Sequence, residues 1–353
     1  MKKTVSAILT LIFVFSFAFP AFAAADGRVF TDTLSAGVYL KREMKKKTET
    51  VSFTYKAEKS ADTDVSALGR ALFNEFSDIA FAYTGVPDEG DYLLYTYDEM
   101  KMTASVYSSG NTVTYDYTLN ISYFINALQE QELTKKINTM LSGIMPGKQT
   151  DYEKVRAIHD EILKTTEYDH EHGGDYNLKY SAYAAAVNGS AVCEGYSVLF
   201  ARMCMEAGVE CRVITGTALG GSHSWNAVKI GGIYYLVDCT WDDSEGGTSW
   251  FLRGESNFTG HKARPELMKD KIELSQSDFD PSVSPYQSKP LSGDADGDGT
   301  VSVSDARTTL RLAIALDYTG RYSFVFDCCD TDENGEISVG DARTVLRRAI
   351  GLE

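Results

Sequence analysis

One cysteine of this chain stands where a thiol could act as a nucleophile. Cys193 lies in the segment SAVCEGYSVLF (residues 190–200), between small residues and a run with the apolar spacing of a helix. At the start of a helix, the dipole and the free N–H groups stabilise a thiolate, which is the reactive form of cysteine. The alternative is a buried thiol that fills core space, because free cysteine is among the most buried residue types.

A nucleophilic cysteine needs a base, and the chain has five histidines. His159 lies within a predicted amphipathic helix, and His261 is isolated in the sequence. His170 and His172 form a close pair, but a solvated loop is favoured over a metal site because no further cysteine or histidine ligands lie nearby. His223, in the segment GGSHSWNAVKI, is therefore the candidate base.

The strand pairing predicted around His223 brings an acid to it. Two predicted strands flank Gly231–Gly232, a dipeptide typical of a tight hairpin turn. If Ile230 pairs with Ile233, His223 and Asp238 lie on the same face as diagonal neighbours. A three-residue turn would place them on opposite faces. Asp238 is flanked by apolar residues, where a carboxylate without a partner is costly, so we expect it to pair with His223.

Cys193, His223 and Asp238 thus supply the three parts of a cysteine catalytic triad. The segments VCEGYSVLFARMCMEAGVECRVITG and SHSWNAVKIGGIYYLVDCTWDD resemble the bacterial transglutaminase-like core domain of the papain-like superfamily, over about residues 150–255. The resemblance implies that Cys193 is the nucleophile, His223 the general base and acid, and Asp238 the orienting carboxylate. Surrounding family positions are matched by Gly195, Tyr196, Trp225, Asn226 and Trp241.

The chemistry implied by this resemblance is acyl transfer from an amide through an acyl-enzyme, without a cofactor in the catalytic domain. Water as the acceptor gives a cysteine peptidase or amidase, which we favour because a secreted enzyme meets water at high concentration unless its site excludes it. A lysine amine as the acceptor gives a protein-cross-linking transglutaminase. The third alternative is a non-catalytic binding module. We expect the backbone N–H of Cys193 to serve an oxyanion hole, and Tyr183 is only a suggestion for its second donor.

An α+β region, residues 24–145, is predicted ahead of these segments. Residues 112–123 alternate between apolar and polar types, and the turn signal SSGN precedes them, which predicts a half-buried antiparallel sheet. Strand character extends over residues 26–125. Helical apolar spacing follows over residues 125–145 and 150–166, and the second of these segments opens with a capping-box pattern.

Beyond a predicted catalytic domain, residues 146–279, a linker rich in proline and serine (residues 280–293) leads to a duplicated module. Residues 294–316 match residues 330–352 at 14 of 23 positions, which indicates an internal repeat. Each copy begins with a twelve-position loop that has oxygen donors at alternate positions and a glycine at the turn, as calcium loops have. The predicted ligands are Asp294, Asp296, Asp298, Thr300, Ser302 and Asp305 in the first loop, and Asp330, Asp332, Asn334, Glu336, Ser338 and Asp341 in the second.

This module, residues 294–353, resembles a type I dockerin, since its two loop-plus-helix repeats each close with an aspartate. The resemblance implies two Ca²⁺ ions and docking onto a cohesin module of a scaffoldin, as in cellulosomes and related extracellular assemblies. The near-symmetry of the repeats suggests that either helix could present the same face to the partner. A carbohydrate-cleaving enzyme is suggested only by the kind of assembly in which dockerins occur, and no carboxylate pair supports this activity.

Residues 1–23 have the positive start, apolar core and small-residue cleavage site of a secretory signal peptide, and the apolar run is short for a membrane anchor. The net charge of −16 argues against partners such as nucleic acid or an anionic membrane. For the six cysteines we predict no disulfide pairing. We therefore expect a secreted α+β protein: a papain-like/transglutaminase-like core with an N-terminal antiparallel sheet and helices, plus a small all-α calcium-binding dockerin.

Overall fold

The chain divides into two units, residues 1–129 and 130–353. The computed structural model of the protein describes residues 10–13, 27–148, 150–170, 177–264, 272–282, 292–295, 300–314, 328–332, 334 and 336–352. None of the helices in these ranges has the length and apolarity that crossing a membrane requires.

The strands of the first unit are β1 (Thr10–Phe13), β2 (Val29–Phe30), β3 (Thr50–Glu58), β4 (Tyr97–Ser109) and β5 (Thr112–Tyr123). They form a five-stranded sheet in the order β1-β4-β5-β3-β2. β3, β5 and β4 pair antiparallel, as predicted, and the β4–β5 hairpin turns at Gly110, whose φ of 58° suits glycine. β1 pairs parallel with β4. It lies within the predicted signal peptide, so a processed chain would lack this strand.

One face of β5 lies at the centre of the first unit's core. The predicted alternation is confirmed there, because every second residue is at most 3% exposed: Val113, Tyr115, Tyr117, Leu119 and Ile121. Helices α1 (Thr33–Lys45) and α2 (Val65–Ala80) contribute side chains to the same core, and a short α3 (Asp91–Leu94) follows. Strand character throughout residues 26–125 was therefore wrong for α1 and α2, each of which begins after an aspartate that caps its first turn.

The second unit contains a sheet built from β8 (Cys211–Ala218), β9 (Gly221–Ile230), β10 (Ile233–Val237) and β11 (His261–Ala263). The strand order is β10-β9-β8-β11, with every neighbouring pair antiparallel. A separate parallel pair joins β6 (Glu167–Tyr168) to β7 (Ser190–Ala191).

Four helices precede or separate these strands along the chain, and the first begins just before the boundary between the two units: α4 (Ala127–Ile144), α5 (Asp151–Thr165), α6 (Cys193–Glu206) and α7 (Cys239–Glu245). The helices expected over residues 125–145 and 150–166 are confirmed to within two residues at each end. The capping box that begins α5 is present, with Thr150 and Glu153 bonding each other's backbone N–H groups. α6 ends before Gly208, whose φ is 80°.

The described part of the C-terminal repeats contains two helices of equal length, α8 (Val303–Ala313) and α9 (Val339–Ala349), which pack against each other. A small buried cluster around Ala295 and Cys329 receives apolar side chains from Leu312 and Ile337. The helical character of these ranges agrees with the expectation of a small all-α module.

Candidate active site

The first residue of α6 is Cys193, as the sequence predicted, and Val192 is the N-cap. The first N–H groups of a helix have no intrahelical partner, so the Cys193 backbone N–H and the helix dipole are directed at the region of the thiol. The side chain is half-buried, in contrast to Cys204 on the same helix, which is fully buried. All six cysteines are free thiols.

A close approach of the chain fixes the start of α6. A Cβ atom on Gly195 would lie 2.7 Å from the Cβ of Ala191 and 2.9 Å from the carbonyl oxygens of Lys179 and Ser181. Only glycine allows this packing. The backbone carbonyl of Cys193 also accepts a 3.4 Å hydrogen bond from the Ser224 hydroxyl, which ties the helix start to β9.

The histidine and the acid meet where the hairpin ends. Ile230 pairs with Ile233, so the predicted register of β9 and β10 is confirmed. His223 Nε2 lies 2.6 Å from Asp238 Oδ2. The expectation that the acid lies on a strand was wrong by one residue, because β10 ends at Val237 and Asp238 is the N-cap of α7.

This cap position holds the carboxylate in one orientation. Asp238 Oδ1 accepts hydrogen bonds from the backbone N–H groups of Thr240 at 3.0 Å and Trp241 at 3.1 Å. Asp238 Oδ2 is thereby left for the imidazole of His223. The side chain of Asp238 is 1% exposed, so its charge is kept away from water.

The electrostatics of the pair favour a charged imidazole. Burial alone would lower the pKa of His223, but hydrogen bonds with Asp238 and Cys193 outweigh it and raise the pKa to about 9. Burial likewise opposes ionisation of Asp238, yet hydrogen bonds from His223 and His261 bring its pKa below the usual value. Since Nε2 of His223 faces the acid, the other ring nitrogen is the one available to Cys193.

His261 is a site residue that sequence reasoning missed. Its Nε2 lies 3.0 Å from Asp238 Oδ2, the same oxygen that His223 contacts. The ring is enclosed by aromatic side chains at centroid distances of 4.0 to 5.3 Å: Phe258, Trp241, Trp225 and Trp250. The three-residue strand β11 that carries His261 is too short to leave a periodic signal, so the sequence offered only an isolated histidine.

Two of the other sequence candidates, His159 and Tyr183, are engaged by carboxylates elsewhere in the domain. His159 is fully buried and pairs with Asp242 rather than with a thiol. His170 is exposed, and His172 lies outside the described residues. The Tyr183 hydroxyl donates to Glu132 at 2.7 Å, so its proton is committed to that carboxylate rather than to an oxyanion near Cys193.

The C-terminal loops present carboxylates at the starts of α8 and α9. Asp305 and Asp341 occupy the first turns of these helices, as predicted for the loop-closing acids. Each accepts a hydrogen bond from the backbone N–H of its N-cap serine, Ser302 or Ser338, at 2.7 and 2.8 Å. The serine hydroxyls donate to the same carboxylates.

In the second loop, carboxylate oxygens of Asp330, Asp332 and Asp341 lie within 4.8 Å of one another. The Asn334 N–H contacts the first two of these acids, and its side-chain oxygen accepts from the Glu336 N–H at 2.8 Å. Convergent oxygen donors of this kind suit a hard cation such as Ca²⁺. In the first loop, the predicted ligands Asp296 and Asp298 lie outside the described residues, whereas Asp294 and Asp305 are buried and Thr300 is exposed.

Comparison with known proteins gives a family match for the segment that carries Cys193 and His223. Residues 138–241 match the Transglutaminase-like superfamily. The kyphoscoliosis peptidase of Mus musculus is 32% identical over 144 residues, a match that covers 36% of this chain and 22% of that protein. Hillarin of Drosophila melanogaster is 28% identical over 134 residues, covering 31% of this chain and 15% of its own length. The chain thus spans about a fifth of the length of these curated relatives.

Two solved structures share low identity with the chain. A TGase structure is 18% identical and has a TM-score of 0.28, covering 54% of this chain and 51% of the other. A candidate cysteine protease from Cytophaga hutchinsonii is 16% identical with a TM-score of 0.29, covering 48% of this chain and 61% of the other. It is the match over residues 138–241 that identifies a transglutaminase-like domain in this protein.

Proposed function

We propose that the transglutaminase-like domain is a thiol-dependent acyl-transfer enzyme and acts chiefly as a peptidase or amidase. The observation that carries the proposal is the 2.6 Å hydrogen bond between His223 Nε2 and Asp238 Oδ2, together with the contribution of Cys193 to the raised pKa of His223. Cys193 is the nucleophile, His223 the general base and acid, and Asp238 the group that orients the imidazole.

Acylation begins from the Cys193 thiolate and the protonated His223. The thiolate sulfur attacks the carbonyl carbon of an amide, and the developing oxyanion is stabilised by the backbone N–H of Cys193 and the dipole of α6. The C–N bond then breaks as His223 gives its proton to the leaving amine. The products of this half-reaction are a thioester on Cys193, a free amine and a neutral His223.

Deacylation reverses the proton transfer. Neutral His223 takes a proton from the incoming acceptor, which attacks the thioester carbonyl and releases the Cys193 thiolate. Water yields a carboxylic acid, and a lysine amine yields a cross-link. Water is the acceptor we propose, because it is present at far higher concentration than any amine unless the site excludes it.

The test is to incubate the purified protein with a peptide library and a primary amine and to analyse the products by mass spectrometry. We expect cleavage or deamidation by the native protein and none by Cys193→Ala. Cys204→Ala is the matched control, since this buried thiol of the same helix has no proposed role in the reaction. Amine incorporation would instead favour the transglutaminase. If no reaction occurs and iodoacetamide does not label Cys193, the proposal is overturned. The alternative of a non-catalytic binding module would then be favoured.

We propose also that the C-terminal repeats are a calcium-dependent dockerin that binds a cohesin module. The convergent acids of the second loop support this proposal, and Asp294 and Asp305 are the described counterparts in the first. Bound Ca²⁺ would neutralise the acids and hold each loop against its helix. The loops should therefore lose their shape without the ion.

An apolar surface supports the docking role. Exposed apolar side chains recur at equivalent positions of α8 and α9, or directly after them: Val303, Leu310 and Ile314 in the first repeat, and Val339, Leu346 and Ile350 in the second. A duplicated patch of this kind would allow either helix to face the partner. Binding of a cohesin by the full chain, measured by calorimetry, should disappear on chelation and return with added Ca²⁺. Binding that is insensitive to chelation would contradict the proposal.

Secretion is the localisation we propose, on the grounds of the N-terminal segment. N-terminal sequencing of protein recovered from the culture medium should begin directly after Ala23. A mature protein that retains residues 1–23 would contradict cleavage of this segment.

A further inference from the structure

The ring of His261 is held by contacts on every side. Its side chain is 2% exposed, and Phe258 stacks on it at a centroid distance of 4.0 Å. Trp241 packs at 4.2 Å. Trp225 and Trp250 complete the enclosure, so the three tryptophans of the chain all contact this one imidazole.

Both nitrogens of this imidazole face hydrogen-bond acceptors. Nε2 lies 3.0 Å from Asp238 Oδ2, and Nδ1 lies 3.2 Å from the backbone carbonyl oxygen of Thr259. A carbonyl can only accept, and Asp238 already accepts four hydrogen bonds as a carboxylate. Nε2 of His261 therefore donates a hydrogen bond to the Asp238 carboxylate.

We propose that His261 is a positioning residue for the catalytic pair, acting through Asp238 on the proton of His223. It holds Oδ2 of Asp238 in place by a second hydrogen bond, and this donated hydrogen bond weakens the attraction of Asp238 for the proton on His223. His223 then gives up that proton to a leaving amine more readily. This inference rests on the proposed acyl-transfer function and names a regulator of its acid–base step.

The packing of β11 supports the assignment of this role to His261. Gly216 on β8 pairs with Ala263, and a Cβ at Gly216 would lie 2.1 Å from the carbonyl oxygen of Lys262 and 2.8 Å from the ring of Trp225. Because Gly216 has no side chain, β11 approaches β8 closely enough to bring His261 within hydrogen-bond distance of Asp238. The position of His261 thus depends on a glycine at residue 216.

Few other groups that change charge near neutral pH face this cluster in the described part of the chain. Burial raises the pKa of Tyr168 to about 12, with further contributions from Cys193, Asp169 and Asp238. Burial also raises the pKa of the Cys239 thiol well above its usual value. Both groups therefore stay neutral near pH 7. The proton next to the Asp238 carboxylate that the proposed reaction uses is therefore the one on His223.

The test compares His261→Phe, which keeps an aromatic ring but no hydrogen-bond donor, with His261→Gln, which keeps a donor. Lys262→Gln, an exposed change on the same strand, is the control. We expect His261→Phe to lower kcat about ten- to hundredfold with little change in KM. The basic limb of the pH profile should move upward, because loss of the second hydrogen bond strengthens the hold of Asp238 on the His223 proton. His261→Gln, which keeps a donor, should recover most of kcat and return the basic limb toward its native position.

A second measurement is independent of activity. The ring of His223 is titrated by NMR in the Cys193→Ala background, with and without His261→Phe. A midpoint that rises on loss of His261 supports the inference even if the protein has no acyl-transfer activity, in which case the proposed function alone fails. A midpoint that does not rise overturns the inference, whatever the activity of the native chain.

Discussion

His159 Nε2 lies 2.9 Å from Asp242 Oδ2, and both side chains are completely buried. A second histidine–aspartate pair thus lies beside the first, and its acid follows Asp238, the N-cap of α7, by one helical turn. Asp238 faces His223 and His261, whereas Asp242 faces His159 of α5 and also accepts a hydrogen bond from the backbone N–H of Trp250 at 2.8 Å. The second pair joins α5 to α7 and so fixes the helix whose N-cap is Asp238.

Replacement of His159 should destabilise the domain strongly. His159→Ala removes the imidazole that faces the Asp242 carboxylate in the interior, and such a loss costs about 3 to 5 kcal/mol. The free energy of unfolding, measured by urea denaturation, should fall accordingly. Lys164→Ala on the same helix is the control, because its ion pair with Glu161 lies on the surface and contributes at most about 1 kcal/mol. Equal effects of the two changes would contradict a structural role for His159.

Replacement of Asp238 should remove activity while leaving the helix cap in place. In Asp238→Asn, the amide oxygen can still accept from the N–H groups of Thr240 and Trp241. The amide nitrogen then faces the N–H groups of His223 and His261, and the ion pair is lost. We expect kcat to fall on the order of a thousandfold. Glu245→Gln, an exposed change at the other end of α7, should retain native kcat.

The sequence anticipated the parts of this site that local rules decide. Helical spacing placed Cys193 at the start of α6, and the two glycines at 231–232 set the register that brings His223 to Asp238. The position of Asp238 at a helix cap was not predicted, because the apolar residues before it also suit a longer strand. His261 could not be predicted, since it reaches the site through the three-residue β11 and tertiary packing on Gly216. The helices α1 and α2 were missed although Asp32 and Asp64 are ordinary N-cap residues.

The pH dependence of the reaction should reflect His223. Its pKa in the folded protein is about 9, above the ordinary value of 6.5, because hydrogen bonds with Asp238 and Cys193 outweigh the effect of burial. The imidazolium that protonates the leaving amine therefore persists to about pH 9, and kcat should decline above that pH. The stability that this pair contributes is complete below pH 6.5 and is lost as the pH rises through about 9. In Asp238→Asn the residual activity should decline at lower pH. A native profile that already declines near pH 6.5 would contradict the assignment.

The start of α6 offers a test of how closely the nucleophile must be placed. In Gly195→Ala, the new Cβ would lie 2.7 Å from Ala191 Cβ and 2.9 Å from two backbone carbonyl oxygens, so the first turn of the helix must shift. A shift of about 1 Å at Cys193 moves both the sulfur and its backbone N–H from the reacting carbonyl, and we expect kcat to fall about a hundredfold. Gly143→Ala in α4 is the matched control, since no atom lies within 4 Å of a Cβ at that position. It should leave kcat unchanged and leave stability equal or slightly higher, because alanine favours helix over glycine. Native kcat in Gly195→Ala would show that the reaction tolerates displacement of the helix start. That result would contradict an oxyanion site at the Cys193 N–H.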